Sequence, residues 1–393
     1  MASPSYRKIL HLDLDAFFCA VEALRNPDLQ GKPFAVGGSP DKRGVVSSCS
    51  YPARACGVHS AMPMSQALRI CPDLIVVRHG GGYGQVSQKV MARLQELTPL
   101  VQQISVDEAF LDVSDLPQPL PELAQMLQAR IQDELSLPCS LGGASNKLVA
   151  KIANTVGKRQ ARAVDYPRAI SIVPAGEEAA FLAPLPVRDL WGVGPKTEAR
   201  LQAMGIQTIG ELAAVPEREL MKLLGQHGYD LARRARGLDN RPVEPTRGAA
   251  KSISSETTFA RDVREGAVLR ATLRRLAAGV AKSLRRKGYT GRTVRLKLRL
   301  SDFTTLSRQS TLPRPTDDER IIVPAVLTLF ENLWTPGQPV RLVGAGVSNL
   351  QKDVVQLKLW EEKDDRLRKL QSTIDALQER YGEAAIHRGV EEW

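Results

Sequence analysis

Two apolar stretches of this chain carry carboxylates where a buried strand has no ordinary use for them. The first runs Ile9-Leu10-His11-Leu12-Asp13-Leu14-Asp15. Side chains along a strand alternate between faces, so Leu12 and Leu14 share one face while Asp13 and Asp15 share the other. The second, Ser105-Val106-Asp107-Glu108-Ala109-Phe110-Leu111, reads as an apolar strand or one arm of a β-hairpin. A charged pair inside a buried strand is costly unless it is paired or metal-bound. Two such segments point to one acidic site built across a sheet.

An all-oxygen site of this kind suits a hard cation. Mg²⁺ binds through a few carboxylates, keeps several waters and takes substrate phosphates as further ligands. The acids of the two segments, Asp13 and Asp15 with Asp107 and Glu108, are therefore the candidate catalytic acids and ligands for two Mg²⁺ ions. Paired ions in such sites stand roughly 3.5–4 Å apart, which requires two or three convergent carboxylates. One ion lowers the pKa of an attacking hydroxyl and the other neutralises a triphosphate and its leaving pyrophosphate, which is phosphoryl transfer.

The charge of the chain points to a polyanionic partner. Its 54 Lys and Arg against 43 Asp and Glu leave a net charge of +11, and the bases dominate between Arg233 and Arg308. In 393 residues, a hydrophobic content of 43% allows two to four compact domains. No uncharged apolar run approaches the ~18 residues of a membrane span. Asp13 and Asp15 interrupt the apolar run near the N-terminus, so a secretory signal is not expected and the cytoplasm is the expected compartment. The five cysteines include no CxxC pair. They read as reduced, buried side chains, not as a disulfide framework or zinc site.

Periodicity divides the chain into zones. Strands and helices alternate through about residue 172, as in a mixed α+β domain. Within it, AFFCAVEALRNP predicts a helix stopped by Asn26-Pro27. Leu123, Met126, Leu127, Ile131 and Leu135 predict the core stripe of another. Residues 173–240 read as short helices with short loops, and 240–250 have linker composition. From 251 to 350 the order is strand, helix, strand, strand, helix, strand, a βαββαβ pattern. Residues 364–381 read as a charged helix.

Four further motifs carry chemistry. Tyr51 and Arg54 stand at i and i+3, a phenol and a guanidinium fork able to grip a triphosphate. Lys151 and Lys158 lie on one predicted helix and read, as lone lysines do, as a solvated face. In Trp191-Gly192-Val193-Gly194-Pro195-Lys196-Thr197, a Gly-x-Gly hairpin between helices would aim backbone N–H groups at a phosphate, with Lys196 adding charge. This looks like a helix-hairpin-helix element that grips DNA backbone. In VRLKLRL, Val294, Leu296, Leu298 and Leu300 predict an apolar sheet face, and Arg295, Lys297 and Arg299 a basic front for duplex phosphates.

HLDLDAFFCAVE, YPARACGVHSAMP, SVDEAFLDV, SNKLVAKIAN, WGVGPKT and KSISSETTF are similar, in this order, to the motifs of Y-family translesion DNA polymerases, specifically the DNA polymerase IV branch. The resemblance spans residues 6–360. It implies an α+β right hand: palm (1–16 and 83–172), fingers (17–82), helical thumb (173–240), linker (241–250) and little finger (251–350). It implies Asp13, Asp107 and Glu108 as metal ligands, with the Leu14 carbonyl as a further contact. Phe18 falls at the steric gate that excludes a 2′-hydroxyl, and Tyr51, Arg54 and Lys158 fall at the triphosphate positions. Ser47 and Ser48 fall over the nascent base pair, where a small roof would tolerate damaged template bases.

Gln356, Leu357, Leu359 and Trp360 of QLKLW resemble a sliding-clamp-binding peptide. The implied partners are primer-template DNA, dNTP and the clamp, for a monomeric chain that binds no membrane. The chain departs from the family pattern at Pro52, at Arg159 and in a longer segment after Lys158. The alternatives are a non-catalytic DNA- and clamp-binding scaffold on the same fold and, more distantly, a nucleotide cyclase with a similar palm.

Overall fold

The computed structural model describes residues 6–161, 165–246 and 248–352, with 370, 373–377, 380–382 and 386. The chain divides into two compact units, Met1–Gly248 and Ala249–Trp393. Along the first run β1 (Ile9–Leu14), α1 (Phe17–Arg25), β2 (Phe34–Gly37), β3 (Val46–Cys49), α2 (Tyr51–Ala55), α3 (Met64–Ile70) and β4 (Ile75–Val77). Next come α4 (Tyr83–Leu97), β5 (Val101–Gln103), β6 (Glu108–Asp112), α5 (Leu120–Leu135), β7 (Cys139–Ala144), α6 (Lys147–Gln160) and β8 (Ile170–Ile172). Five short helices complete it: α7 (Glu178–Leu182), α8 (Pro195–Gln202), α9 (Ile209–Ala214), α10 (Glu217–Leu224) and α11 (Gln226–Ala235).

The main sheet has the order β5-β6-β1-β7-β8, with β1 at its centre and antiparallel to both neighbours. Alternation along β1 sorts its side chains as the sequence requires. Leu10, Leu12 and Leu14 pack with Val90, Leu94, Leu123, Leu127 and Ile131 of α4 and α5. Ile9 belongs to the opposite layer, with Leu148, Val149, Ile152 and Ala153 of α6. The three leucines are buried almost completely, each contributing about 1.5–3 kcal/mol. A one-residue slip would expel them, so they fix the register and put Asp13 on the other face.

A smaller sheet, β3-β2-β4, packs its own core of Ala35, Val46, Ala53, Met64 and Ala67. Helix α1 ends at Arg25 before Asn26-Pro27, as expected. Along α5 the stripe holds at Leu123, Leu127 and Ile131, but Met126 is 49% exposed: it lies at the edge of the stripe, where the core no longer reaches. The expected helix before the Gly-x-Gly hairpin is only a 3₁₀ turn, Val187–Asp189, because Pro184 and Pro186 deny a longer helix its hydrogen bonds.

The second unit is β9 (Ser252–Val263), α12 (Gly266–Arg286), β10 (Tyr289–Leu300), β11 (Thr305–Thr316), α13 (Glu319–Glu331) and β12 (Val340–Lys352), the expected βαββαβ order. Its antiparallel sheet has the order β11-β10-β12-β9. Val294, Leu296 and Leu298 pack with Leu273, Leu276, Val280 and Leu284 of α12 and Val326 and Phe330 of α13. The QLKLW peptide lies outside the described residues, as does most of the expected helix over 364–381. Among the described residues no helix is long and apolar enough to cross a membrane. The five cysteines are free thiols, four buried and Cys56 exposed.

Candidate active site

The two acidic segments are brought side by side. Asp13 and Glu108 are Cα partners across β1 and β6, and the Leu14 amide donates to the Asp107 carbonyl at 2.9 Å. Asp107 itself does not lie within a strand, as the apolar pattern had suggested, but in the turn that leads into β6. Ser105 makes that turn: its hydroxyl donates to the Asp107 carboxylate and accepts the Asp107 and Glu108 amides at 3.3 and 3.1 Å. A turn residue escapes the alternation of the strand, so Asp107 and Glu108 need not point to opposite faces.

Helix α6 supplies the countercharge. Asn146 caps it, its side chain accepting the Val149 amide at 3.0 Å. Gly142 of β7 lets it approach: a Cβ there would stand 2.0 Å from the Ala150 carbonyl oxygen. Lys151 and Lys158, two turns apart, therefore lie along one side of the helix, and it faces the acids. This corrects the reading of both as solvated. Lys151 Nζ binds Glu108 Oε2, while Lys158 Nζ lies 2.6 Å from Asp13 Oδ1 and 2.8 Å from Asp15 Oδ1.

Asp15, which the resemblance leaves out of the ligand set, is fully buried and also accepts from the Ser140 hydroxyl and the Arg168 amide. Burial raises the pKa of Asp13; Lys158 opposes this and Asp107 adds to it. Burial alone would lower Lys158, but Asp13 and Asp15 overcome it and hold the ammonium charged. Glu108 is held at about 2, chiefly by a hydrogen bond from His11 and, against burial, by Lys151.

A cleft of about 520 Å³ opens beside these groups. It is lined by Asp13, Leu14 and Asp107 together with Phe18, Ser47, Ser48, Tyr51, Arg54 and Lys158. The Lys158 ion pair thus leaves the cleft open. Glu108 does not line it and stays one step behind Asp13. Phe18 is wedged by Tyr83, His79 and Phe17, with ring centroids 4.6, 5.6 and 5.6 Å away. The Tyr83 hydroxyl is tied to Glu22 at 2.6 Å. The Tyr51 ring lies against the Arg54 guanidinium at 5.0 Å and edge-on to Tyr166 at 5.7 Å. Tyr166 belongs to the segment after Lys158, whose unusual length was the one sequence sign of it.

Among the described residues no three His, Cys, Asp or Glu side chains stand close enough to hold a metal between them. The chemistry of the donors still fits a hard divalent ion: every candidate ligand is an oxygen. Lys158 is shared by Asp13 and Asp15, whereas the Asp107 carboxylate is held by the neutral Ser105 hydroxyl and has no cation paired with it among the described residues.

Two surfaces carry the remaining candidates. In the first unit, Gly192 has φ +110 and Gly194 is the N-cap of α8. The Arg234 guanidinium donates to the Trp191 carbonyl at 2.9 Å and braces this hairpin, leaving Lys196 exposed. In the second unit, Arg295, Lys297 and Arg299 lie on the face of β10 opposite Val294, Leu296 and Leu298. Gly346 and Gly344 are the β12 partners of Arg295 and Lys297 and leave that face smooth. Lys297 pairs with Glu256 at 2.7 Å.

Comparison with known proteins shows the family and the fold. Residues 12–155 match the model of the impB/mucB/samB family, 175–206 the IMS family HHH motif, and 250–359 the impB/mucB/samB family C-terminal domain. The "DNA polymerase IV" of Dehalococcoides mccartyi is 40% identical over 390 residues, covering 98% of this chain and 97% of that one. That of Opitutus terrae is 38% identical over 387 residues, covering 97% and 96%. A solved "Y-family DNA polymerase chimera Dbh-Dpo4(243-245)-Dbh" superimposes with a TM-score of 0.77 over 88% of this chain and 100% of its own, at 24% identity, and so shares the fold. By its matched segments and these relatives, the chain belongs to the impB/mucB/samB family, in the DNA polymerase IV branch of the Y-family DNA-directed DNA polymerases.

Proposed function

We propose that this chain extends a primer on a DNA template by two-metal nucleotidyl transfer from dNTP, and that it does so opposite damaged template bases. The observation that carries the reading is one open cleft. Within it, Asp13 and Asp107 meet a gate ring, Phe18, and the cationic set of Arg54 and Lys158. Asp13, Asp107 and Glu108, with the Leu14 carbonyl, would hold the divalent ions. When bound, such ions lower the pKa of the primer hydroxyl and neutralise the triphosphate.

The chain's own groups do the rest. Arg54 and Tyr51 grip the triphosphate, and Lys158 moves its charge between the acids and the phosphates as substrate enters. Phe18, held from behind by Tyr83, leaves no room for a 2′-hydroxyl. Ser47 and Ser48 form a small roof, which supports tolerance of damaged bases. In this reading the five-stranded sheet is the palm, the three-stranded sheet the fingers, α7–α11 the thumb and the second unit the little finger. The Gly192–Gly194 hairpin with Lys196, and the Arg295, Lys297 and Arg299 face, grip DNA phosphates, and QLKLW recruits a sliding clamp.

Primer extension with Mg²⁺ and dNTPs, on a plain template and on one with a minor-groove guanine adduct, tests the proposal. Extension on both is expected. A chain inert on the plain template would overturn the polymerase reading, and one that stalls only at the adduct would overturn the damage reading.

A further inference from the structure

Beneath Glu108 lies a buried hydrogen-bonded chain that the proposed reaction does not use. Asn154, on α6 between Lys151 and Lys158, places its side-chain amide nitrogen 3.1 Å from His11 Nδ1, 3.0 Å from the His11 carbonyl and 2.9 Å from the Ser140 carbonyl. Two of these contacts are backbone carbonyls, which can only accept, and they fix the orientation of the amide. Its Oδ1 is buried without a partner among the described residues, and turning the amide over would set that oxygen against both carbonyls.

With the amide nitrogen facing it, Nδ1 meets no acceptor for a proton of its own, so the ring proton sits on Nε2. Nε2 lies 3.2 Å from Glu108 Oε2. The ring is only 2% exposed and is held by Phe110, whose centroid is 4.7 Å away. Lys151 also donates to Oε2. Both protein donors to Glu108 thus converge on one oxygen, and Oε1 receives neither.

We propose that His11, its tautomer set by Asn154, is a positioning residue that occupies Oε2 of Glu108 and keeps Oε1 available as a cation ligand beside Asp13. This rests on the reading of Glu108 as a metal ligand. A donor that orients a ligating carboxylate from behind is worth about 10–100-fold in metal affinity. The signal in the sequence is a histidine on the acidic face of β1, two residues before Asp13.

The test compares His11→Phe, which keeps a ring but removes the donor, with His11→Gln, which restores an N–H near Nε2. Free Mn²⁺ is titrated by electron paramagnetic resonance into the complex of protein, dideoxy-terminated primer-template and dNTP, where no chemistry occurs. H11F should bind Mn²⁺ about 10–100-fold more weakly and H11Q should recover most of that loss. H11F binding as tightly as the wild type, or H11Q as weakly as H11F, would overturn the inference.

Should H11F unfold, ¹⁵N imidazole shifts of the wild type decide instead: the Nε2–H tautomer is expected, and the Nδ1–H tautomer contradicts it. Asp107→Ala separates the two levels. An active D107A defeats the polymerase site itself, whereas an inactive D107A beside a tight-binding H11F defeats only the role of His11.

Discussion

The ammonium of Lys158 serves two carboxylates at once, and the second, Asp15, has no access to solvent. Removing one partner from a buried ion pair leaves an uncompensated charge, at a cost of about 3–5 kcal/mol. Lys158→Met should therefore lower the melting temperature by roughly 5–10 °C. If the cleft is a cation site, Mg²⁺ should restore more stability to K158M than it adds to the wild type, because it binds the folded form and replaces the lost charge. Melting curves with and without Mg²⁺ check this, and equal Mg²⁺ increments in both proteins would count against the cation site.

At this scale the acids were legible because alternation along β1 and β6 made them anomalous. The ion pairs of the lysines were not, because their partners lie 43 to 145 residues away in sequence, and only the resemblance had set Lys158 in the site. An i, i+7 pair on a helix looks solvated until the facing strand is known.

Helix α6 is the element that assembles the site, and it is held at its start. Asp239 accepts the Leu148 amide at 3.1 Å and both Nε and Nη2 of Arg241, at 2.7 and 2.9 Å. Burial opposes ionisation of Asp239, but the Arg241 hydrogen bonds and charge outweigh it and hold the pKa below its ordinary 3.8. A carboxyl with a lowered folded pKa stabilises the fold above its unfolded pKa, and that margin fades as pH falls through the folded value. Asp239→Asn should thus cost about 1.5–3 kcal/mol at neutral pH. The melting temperatures of mutant and wild type should converge below pH 3.8. A gap independent of pH would assign the effect to packing.

Elements were mostly legible from periodicity. What failed was local: Asp107 belongs to a turn shaped by the Ser105 hydroxyl, Met126 falls off the edge of its stripe, and prolines reduce the first helix of the hairpin motif to one turn.

For the whole molecule, the net charge of +11 implied a polyanion and the structure gives part of that charge a face. Affinity for primer-template should fall with salt, with a logarithmic slope of about −0.9 per neutralised phosphate. Arg295 is exposed and has no ion pair among the described residues, whereas Lys297 is paired with Glu256. Arg295→Ala should reduce that slope by about 1. Binding isotherms at several salt concentrations read it, and an unchanged slope would remove Arg295 from the DNA face.

The two faces of β10 followed from patterning, since an apolar back and a basic front are visible in VRLKLRL itself. The cleft was legible only through the resemblance and not from patterning, because it is formed by side chains from β1, α1, β3, α2 and α6 that the fold gathers. The claim on which the account depends is that Asp13, Asp107 and Glu108 serve one cation site. Mg²⁺-dependent primer extension by Asp107→Ala and Glu108→Ala tests it most directly. Both are expected to lose extension while still binding primer-template, and retention of wild-type extension by either would contradict the account.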